Sequence, residues 1–268
     1  MGIASIAMYV SPEPLAEATA ALWSFLRDRL AAAGLAGVPD TLDWDLAYDA
    51  AWLRPDLLLS QTCGYPYVRH LRGRVRLVAT PAYSQPGCSG ALMRSFIIAG
   101  RDAGIHTLED LRGTVAAINS PDSNSGANLF RAAIAPLAGG SPFFADVLET
   151  GGHGASIDAV AQGVADCAAI DCITFANIQR FDPERVEAVR IVSETPSGPG
   201  LPFITAADAS DRQVALIREA LGAAIGEASL APVRETLGLV DFVALSDADY
   251  EPLLTFARHA EEEAFGDF

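Results

Sequence analysis

At 268 residues the chain is long enough for one large or two medium domains, and a composition half apolar and 19% charged suits a well-packed globular protein. Its net charge of −16 argues against a nucleic-acid partner and against long-range steering of an anion, so any anionic ligand must be held by local donors. All 18 basic residues are Arg, which excludes Schiff-base chemistry and a phosphate-loop lysine.

The pattern predicts a first strand over Ile3 to Tyr9, then a turn at Ser11-Pro12-Glu13-Pro14. A helix from Leu15 to Ala33 carries Leu15, Ala18, Leu22, Phe25, Leu26 and Leu30 at helical spacing and ends before Gly34. Asp40 to Trp44 reads as a second strand and Asp45 to Leu53 as a short helix. Asp56 to Ser60 is an apolar strand running into Gln61-Thr62-Cys63-Gly64-Tyr65-Pro66-Tyr67. Strands at Val75 to Ala79 and Ser95 to Ala99 flank Tyr83 and the loop Gln85-Pro86-Gly87-Cys88-Ser89-Gly90. Thr107 to Gly113 contains a one-turn helix with Thr107 as cap and Asp110 three residues on.

The central stretch comes next. Val115 to Ile118 is a buried strand, Asn119 to Gly126 a polar turn, and Ala127 to Leu137 continues at helical spacing. Strand, turn, helix leaves backbone N–H groups unpaired at the helix start, with the positive end of the helix dipole behind them. Ser123, Asn124 and Ser125 add three side chains able to donate, and Gly126 lets the backbone approach a ligand. Two readings stand side by side: an ordinary N-cap, which needs only one such residue, and an anion site, which explains the excess.

Further helices are predicted at Ser156 to Gln162, Thr174 to Gln179, Arg212 to Gly222, Ser229 to Leu237 and Asp249 to Phe265. Strands are predicted at Asp166 to Ile170 and Val189 to Val192, with a Pro/Gly-rich link from Pro196 to Pro202. Alternating strands and helices indicate an α/β fold with mainly parallel sheets, whose ligands sit beyond the carboxyl ends of the strands. Tyr9, Thr62 to Tyr65, Tyr83, the Ser123 turn, His153 and Asp171 all fall at such ends.

Each of these residues also has a plainer role. His153, between glycines, opens a helix and can donate to an anion, or is a loop residue of no consequence. Asp171, at a strand end, holds a cationic part of a ligand or accepts turn N–H groups. Tyr9, Tyr65 and Tyr83 are core-edge aromatics or the walls of a ligand cleft. Cys63 beside a Gly turn is a candidate nucleophile, although spacing supplies it with no His or acid partner. Cys167 and Cys172 read as buried hydrophobes, while Cys63 and Cys88 lie in Gly-rich turns and their pairing stays open. With no C-x-x-C spacing and scattered His, neither a metal site nor a cofactor is expected. No run of about 18 apolar residues is free of charge, so no membrane insertion is expected. The first residues lack a secretory signal, which places the protein in the periplasm if a leader has been removed and in the cytoplasm otherwise.

Taken together, these residues resemble the PhnD-like phosphonate/phosphate/phosphite family of ABC-transporter substrate-binding proteins. The resemblance is carried by Met8-Tyr9, Gln61 to Pro66, Gly87 to Gly90 with Arg94-Ser95, Asp122 to Gly126, Gly152 to Ala155, Asp166 to Asp171 and Pro199 to Phe203. Asn124 departs from the family's usual Ser-Thr-Ser-Gly turn. The resemblance implies a two-lobed type II periplasmic-binding-protein fold with a hinge of two crossovers, near Met93 to Ile97 and Ser193 to Pro202. Residues 1–95 plus 198–268 would form the first lobe and 96–197 the second. It further implies binding without catalysis: a small phosphonate or phosphate-like anion taken up between the lobes, with an ABC permease as partner. Ser123, Asn124, Ser125 and Gly126 would grip the anion, with Tyr9, Thr62, Cys63, Tyr65, Tyr83 and Ser95 around it. His153 would add a donor, and Asp171 would read the organic substituent. The alternatives are a cytoplasmic ligand sensor of the same fold and an enzyme using Cys63 as nucleophile.

Overall fold

The computed structural model describes residues 2–262. By internal contacts the chain divides into two compact units. One holds the residues up to Ser84, Ser89–Ala91 and Pro199–Asp249; the other holds Gln85–Cys88, Leu92–Gly198 and the chain from Tyr250 onward. The division falls within the last helix, expected wholly with the first lobe, so that its part from Tyr250 groups with the second unit.

In chain order, β1 (Ile3–Ser5) leads to α1 (Glu13–Ala32), whose buried side is Leu15, Ala18, Leu22, Trp23, Leu26 and Leu30. β1 is shorter than its apolar run suggests, and Tyr9, where the expected strand would end, adopts a left-handed φ of 57°. The strand and helix expected over 40–53 do not form. Asp43 Oδ1 instead accepts the N–H groups of Asp45 and Leu46, and three-residue turns follow from Ala47 to Arg54. An aspartate that binds nearby N–H groups offers the backbone an alternative to helix or ladder.

β2 (Leu57–Gln61) is buried throughout and is followed by α2 (Gly64–Pro66), which widens into a π-type turn over Tyr67–Leu71. β3 (Val75–Tyr83) and the short β4 (Leu92–Met93) precede β5 (Ser95–Gly100). The expected turn before β6 (Val115–Ile118) is present, with Asp110 Oδ2 accepting from the N–H groups of His106 and Thr107. Then come α3 (Leu129–Ala138), β7 (Asp146–Glu149), α4 (His153–Ala161), β8 (Cys167–Asp171), α5 (Cys172–Phe181), β9 (Val189–Glu194) and β10 (Gly198–Pro199). The chain closes with β11 (Phe203–Ala206), α6 (Asp211–Gly226), α7 (Ala231–Leu237), β12 (Leu239–Val243) and α8 (Asp247–Glu262). The three residues Phe265 and its immediate predecessors, in the helix expected to run to Phe265, lie outside the described part.

The sheet of the first unit has the order β1-β2-β11-β3-β12, and that of the second β7-β6-β8-β5-β9. Both are mixed, not mainly parallel. β1 and β2 run parallel, as do β7, β6 and β8, but β11 opposes β2 and β3, and β5 opposes β8 and β9. β11 and β5 are each the first strand of their sheet after the chain passes from the other unit, and β12 also runs antiparallel to β3. Only the strands joined by helical crossovers within a unit are parallel, as such crossovers require.

The second unit's core gathers Ile97, Leu111, Ala116, Ile118, Phe130, Ile134, Phe143 and Cys167. β5 and β8 sit in the middle of that sheet and are buried on both faces, which explains their unbroken apolar runs. Asn119 to Asn128 leaves this rigid platform at the carboxyl end of β6.

Candidate functional site

Ser123 takes an extended backbone and its Oγ accepts the Gly126 N–H at 3.0 Å, so it is the N-cap of the turn. The turn Asn124–Asn128 is π-type and passes into α3 at Leu129, a few residues later than the helix expected from Ala127. Having accepted one bond, the Ser123 hydroxyl still carries a proton to donate. The N-cap reading of the turn is met in this residue.

Asn124 and Asn128 are both almost completely buried, at 1% and 0% exposure. Asn128 Nδ2 donates to the Leu253 carbonyl at 3.0 Å and to Asn124 Oδ1 at 3.2 Å. A carbonyl only accepts, so Leu253 fixes which end of the Asn128 amide is nitrogen, and Asn128 in turn fixes Asn124. The Asn124 Nδ2 group is then a buried donor with no hydrogen-bond partner among the described residues. Asn128 escaped the sequence reading, though its place four residues after Asn124 is the spacing at which helical side chains meet.

Ser125 Oγ shares a 2.9 Å hydrogen bond with His153 Nε2, and the Ser125 carbonyl accepts from Ser95 Oγ at 2.8 Å. Ser95 is anchored by Thr195, whose Oγ1 accepts the Ser95 N–H at 2.9 Å. Gly126 has a different task from the one expected. Its φ is ordinary, and a Cβ there would overlap Asn119 Oδ1 and lie 2.9 Å from Asn119 Cγ and 3.2 Å from His153 Cε1. The missing side chain makes room for Asn119 and His153.

His153 opens α4. Burial lowers its pKa to about 4, and the Ala169 backbone offsets part of that shift without making an ordinary hydrogen bond to the enclosed Nδ1. At neutral pH the ring is therefore uncharged and gives the site no cation. Its stabilising contribution is complete above the unfolded value of 6.5 and is lost as pH falls toward 4, since the unfolded chain takes the proton first. Between pH 6.5 and 5 this one group should remove about 2 kcal/mol of stability, and His153→Gln should flatten that part of a melting-temperature profile.

Asp171 lies opposite Ser95 in the β5–β8 ladder. Its Oδ1 accepts from the N–H groups of Ile173 and Thr174 at 2.8 and 3.0 Å, which makes it the N-cap of α5. The structural role foreseen for this carboxylate is filled. Ser95, Ser123, Asn124, Ser125, Gly126 and His153 thus form one connected group in the second unit, with Asp171 beside Ser95.

The remaining predicted residues belong to the first unit. Tyr9 and Tyr83 meet edge to face with ring centroids 5.6 Å apart. Thr62 is buried, its N–H donating to the Pro202 carbonyl at 3.1 Å and its Oγ1 to the Cys63 carbonyl at 3.3 Å. Cys63 is half-buried at the N-cap of α2. The Tyr65 hydroxyl accepts from Arg69 Nη1 at 2.7 Å, and the Arg69 guanidinium also stands 5.5 Å from that ring. Arg69, exposed on the same turn, is a cation beside these groups that the sequence reading passed over.

The sequence matches the family model for the periplasmic substrate-binding protein of phosphonate ABC transporters over residues 54–250. No curated protein matches. A binding-protein component of an ABC phosphonate transporter from Pseudomonas aeruginosa is 18% identical, with 98% of this chain and 87% of that chain covered and a TM-score of 0.78. PhnD1 from Prochlorococcus marinus, in complex with methylphosphonate, is 14% identical with 98% of each chain covered and a TM-score of 0.73. XAC2383 from Xanthomonas citri, bound to chloride, is 15% identical, again with 98% of each chain covered and a TM-score of 0.73. At these identities the likeness establishes the fold, the two-lobed α/β type II periplasmic-binding-protein fold. The match over most of the chain establishes more: this protein belongs to the phosphonate-binding family of periplasmic ABC-transporter substrate-binding proteins.

Proposed function

We propose that the protein captures a small phosphonate or phosphate-like oxyanion at the Ser123–Gly126 turn and hands it to an ABC permease. The observation that supports this most directly is the buried Asn124 Nδ2 group, a donor with no acceptor among the described residues. Leaving such a group unsatisfied costs about 1–3 kcal/mol, and an anion oxygen supplies the missing acceptor. The Ser123 hydroxyl proton and the N–H groups at the start of the turn add donors to the same anion. Ser125 and neutral His153 complete the set through their shared hydrogen bond.

No step of this requires a bond to be made or broken. Hydrogen bonds to a charged group contribute roughly 1.5–3 kcal/mol each, so a few of them outweigh the association entropy and reach micromolar affinity, about −8 kcal/mol. Asn124 in place of the family's usual hydroxyl residue keeps a donor at that position but fills more space, which selects for a compact anion.

Thermal shift against methylphosphonate, orthophosphate, phosphite and a sulfonate tests the reading. A ligand at 100 times its Kd stabilises by about 2.7 kcal/mol, which is roughly 5–10 °C for a chain of this size. A melting temperature that none of the four moves, up to millimolar concentration, would overturn it.

A further inference from the structure

Cys88 Sγ lies 3.6 Å from Cys172 Sγ, although 84 residues separate them. Both thiols are reduced in this structure; Cys172 is buried and Cys88 half-buried. The backbone around them is shaped for the approach. Gly87 has a left-handed φ of 92°, and a Cβ there would lie 2.8 Å from Cys172 Cβ and 3.1 Å from its Sγ. Only glycine lets the loop lie this flat on the first residue of α5. The loop is also held to that helix one turn further on, where Gln85 Nε2 donates to Asn177 Oδ1 at 3.3 Å. A Cys88 N–H bond to the Gln85 carbonyl at 3.1 Å, and a Cys172 N–H bond to the Arg94 carbonyl at 3.1 Å, fix the backbone on both sides.

We propose that Cys88 and Cys172 are a disulfide-forming pair, oxidised by an external disulfide and released by thiols, which pins the 85–88 segment onto the first turn of α5. Bonding needs the sulfurs at about 2.05 Å, so the pair has to close the remaining gap by side-chain rotation. Cys88, the more accessible, loses its proton to solvent and attacks one sulfur of the external disulfide, expelling the other as a thiolate. Cys172 then loses its proton and attacks Cys88 Sγ, expelling the second half. Two thiols are oxidised by two electrons and one external disulfide is reduced to two thiols. The Cys88 hydrogen bond and burial both hold Cys172 in its protonated form, so the second step is the slow one.

The native protein incubated with oxidised glutathione, then denatured and titrated, should show two thiols in place of the original four. Its intact mass should fall by the two hydrogens lost, and proteolytic mapping should join the peptides holding Cys88 and Cys172. The oxidised form should melt roughly 5–15 °C higher, reversibly with dithiothreitol, because the bond closes a long loop. Cys63→Ser should behave like the parent, and Cys88→Ser should keep its thiols and melt at one temperature in either condition. Four thiols persisting after oxidation, a bond mapped to another pair, a glutathione adduct left on Cys88, or an unmoved melting temperature would each overturn the proposal.

Discussion

Replacing Ser123 and Ser125 together by alanine should weaken capture of the anion by roughly 10²- to 10⁴-fold, as read by titration calorimetry with whichever anion the thermal screen identifies. Two charge-assisted hydrogen bonds at about 1.5–3 kcal/mol each set that range. The variant should not be silent in stability. Ser123 caps the turn through the Gly126 N–H, and losing a cap costs about 1 kcal/mol. The Ser125 change also removes the hydrogen-bond partner of His153 Nε2. A drop of a few degrees in melting temperature together with that loss of affinity is the expected pattern. Unaltered affinity in a folded double variant would remove the turn from the site.

Gly126→Ala should be more damaging than its single methyl suggests. The new Cβ would occupy the space of the Asn119 carboxamide and press on His153 Cε1 at 3.2 Å. Asn119 and His153 must then move, and overpacking of this kind costs typically 1–3 kcal/mol. Because His153 carries Ser125 and Ser125 bonds to Ser95, the displacement reaches every member of the group. Affinity should fall at least 10-fold and melting temperature by several degrees, whereas the same substitution at Gly222, where an added Cβ meets nothing within 4 Å, should change little. A Gly126→Ala protein with parental affinity would show that the turn tolerates rearrangement and that its geometry does not set binding.

The elements that could be recognised in the sequence are those whose apolar pattern matches their burial. Leu57 to Leu59, Phe96 to Ala99 and Ala168 to Ile170 are enclosed on both faces and are written as continuous apolar runs. β7 carried no such signal, because as an edge strand it is largely exposed and reads Asp-Val-Leu-Glu. β11 is four residues long and sits directly after a Pro/Gly-rich stretch, while β12 is interrupted by Asp241. Strand direction was hidden altogether, since it depends on where the chain passes between units and not on local pattern. The site was legible as residue types: the Ser-Asn-Ser-Gly turn announced itself by an excess of polar side chains. What each atom does was not legible. The orphaned Asn124 nitrogen depends on Asn128 and on a carbonyl at Leu253, and the cap at Asp171 emerges only with the Ile173 and Thr174 N–H groups in place.

The bond from Asn128 to Leu253 spans 125 positions of the chain. During synthesis that carbonyl is made 125 residues after the carboxamide it receives, so the Asn124–Asn128 pair must wait, unlocked, for the intervening chain. Contacts between such distant residues form slowly, because a large loop has to close first. On the proposed role, a nascent chain halted before Leu253 lacks the carbonyl that sets this pair and would be unable to hold its cargo.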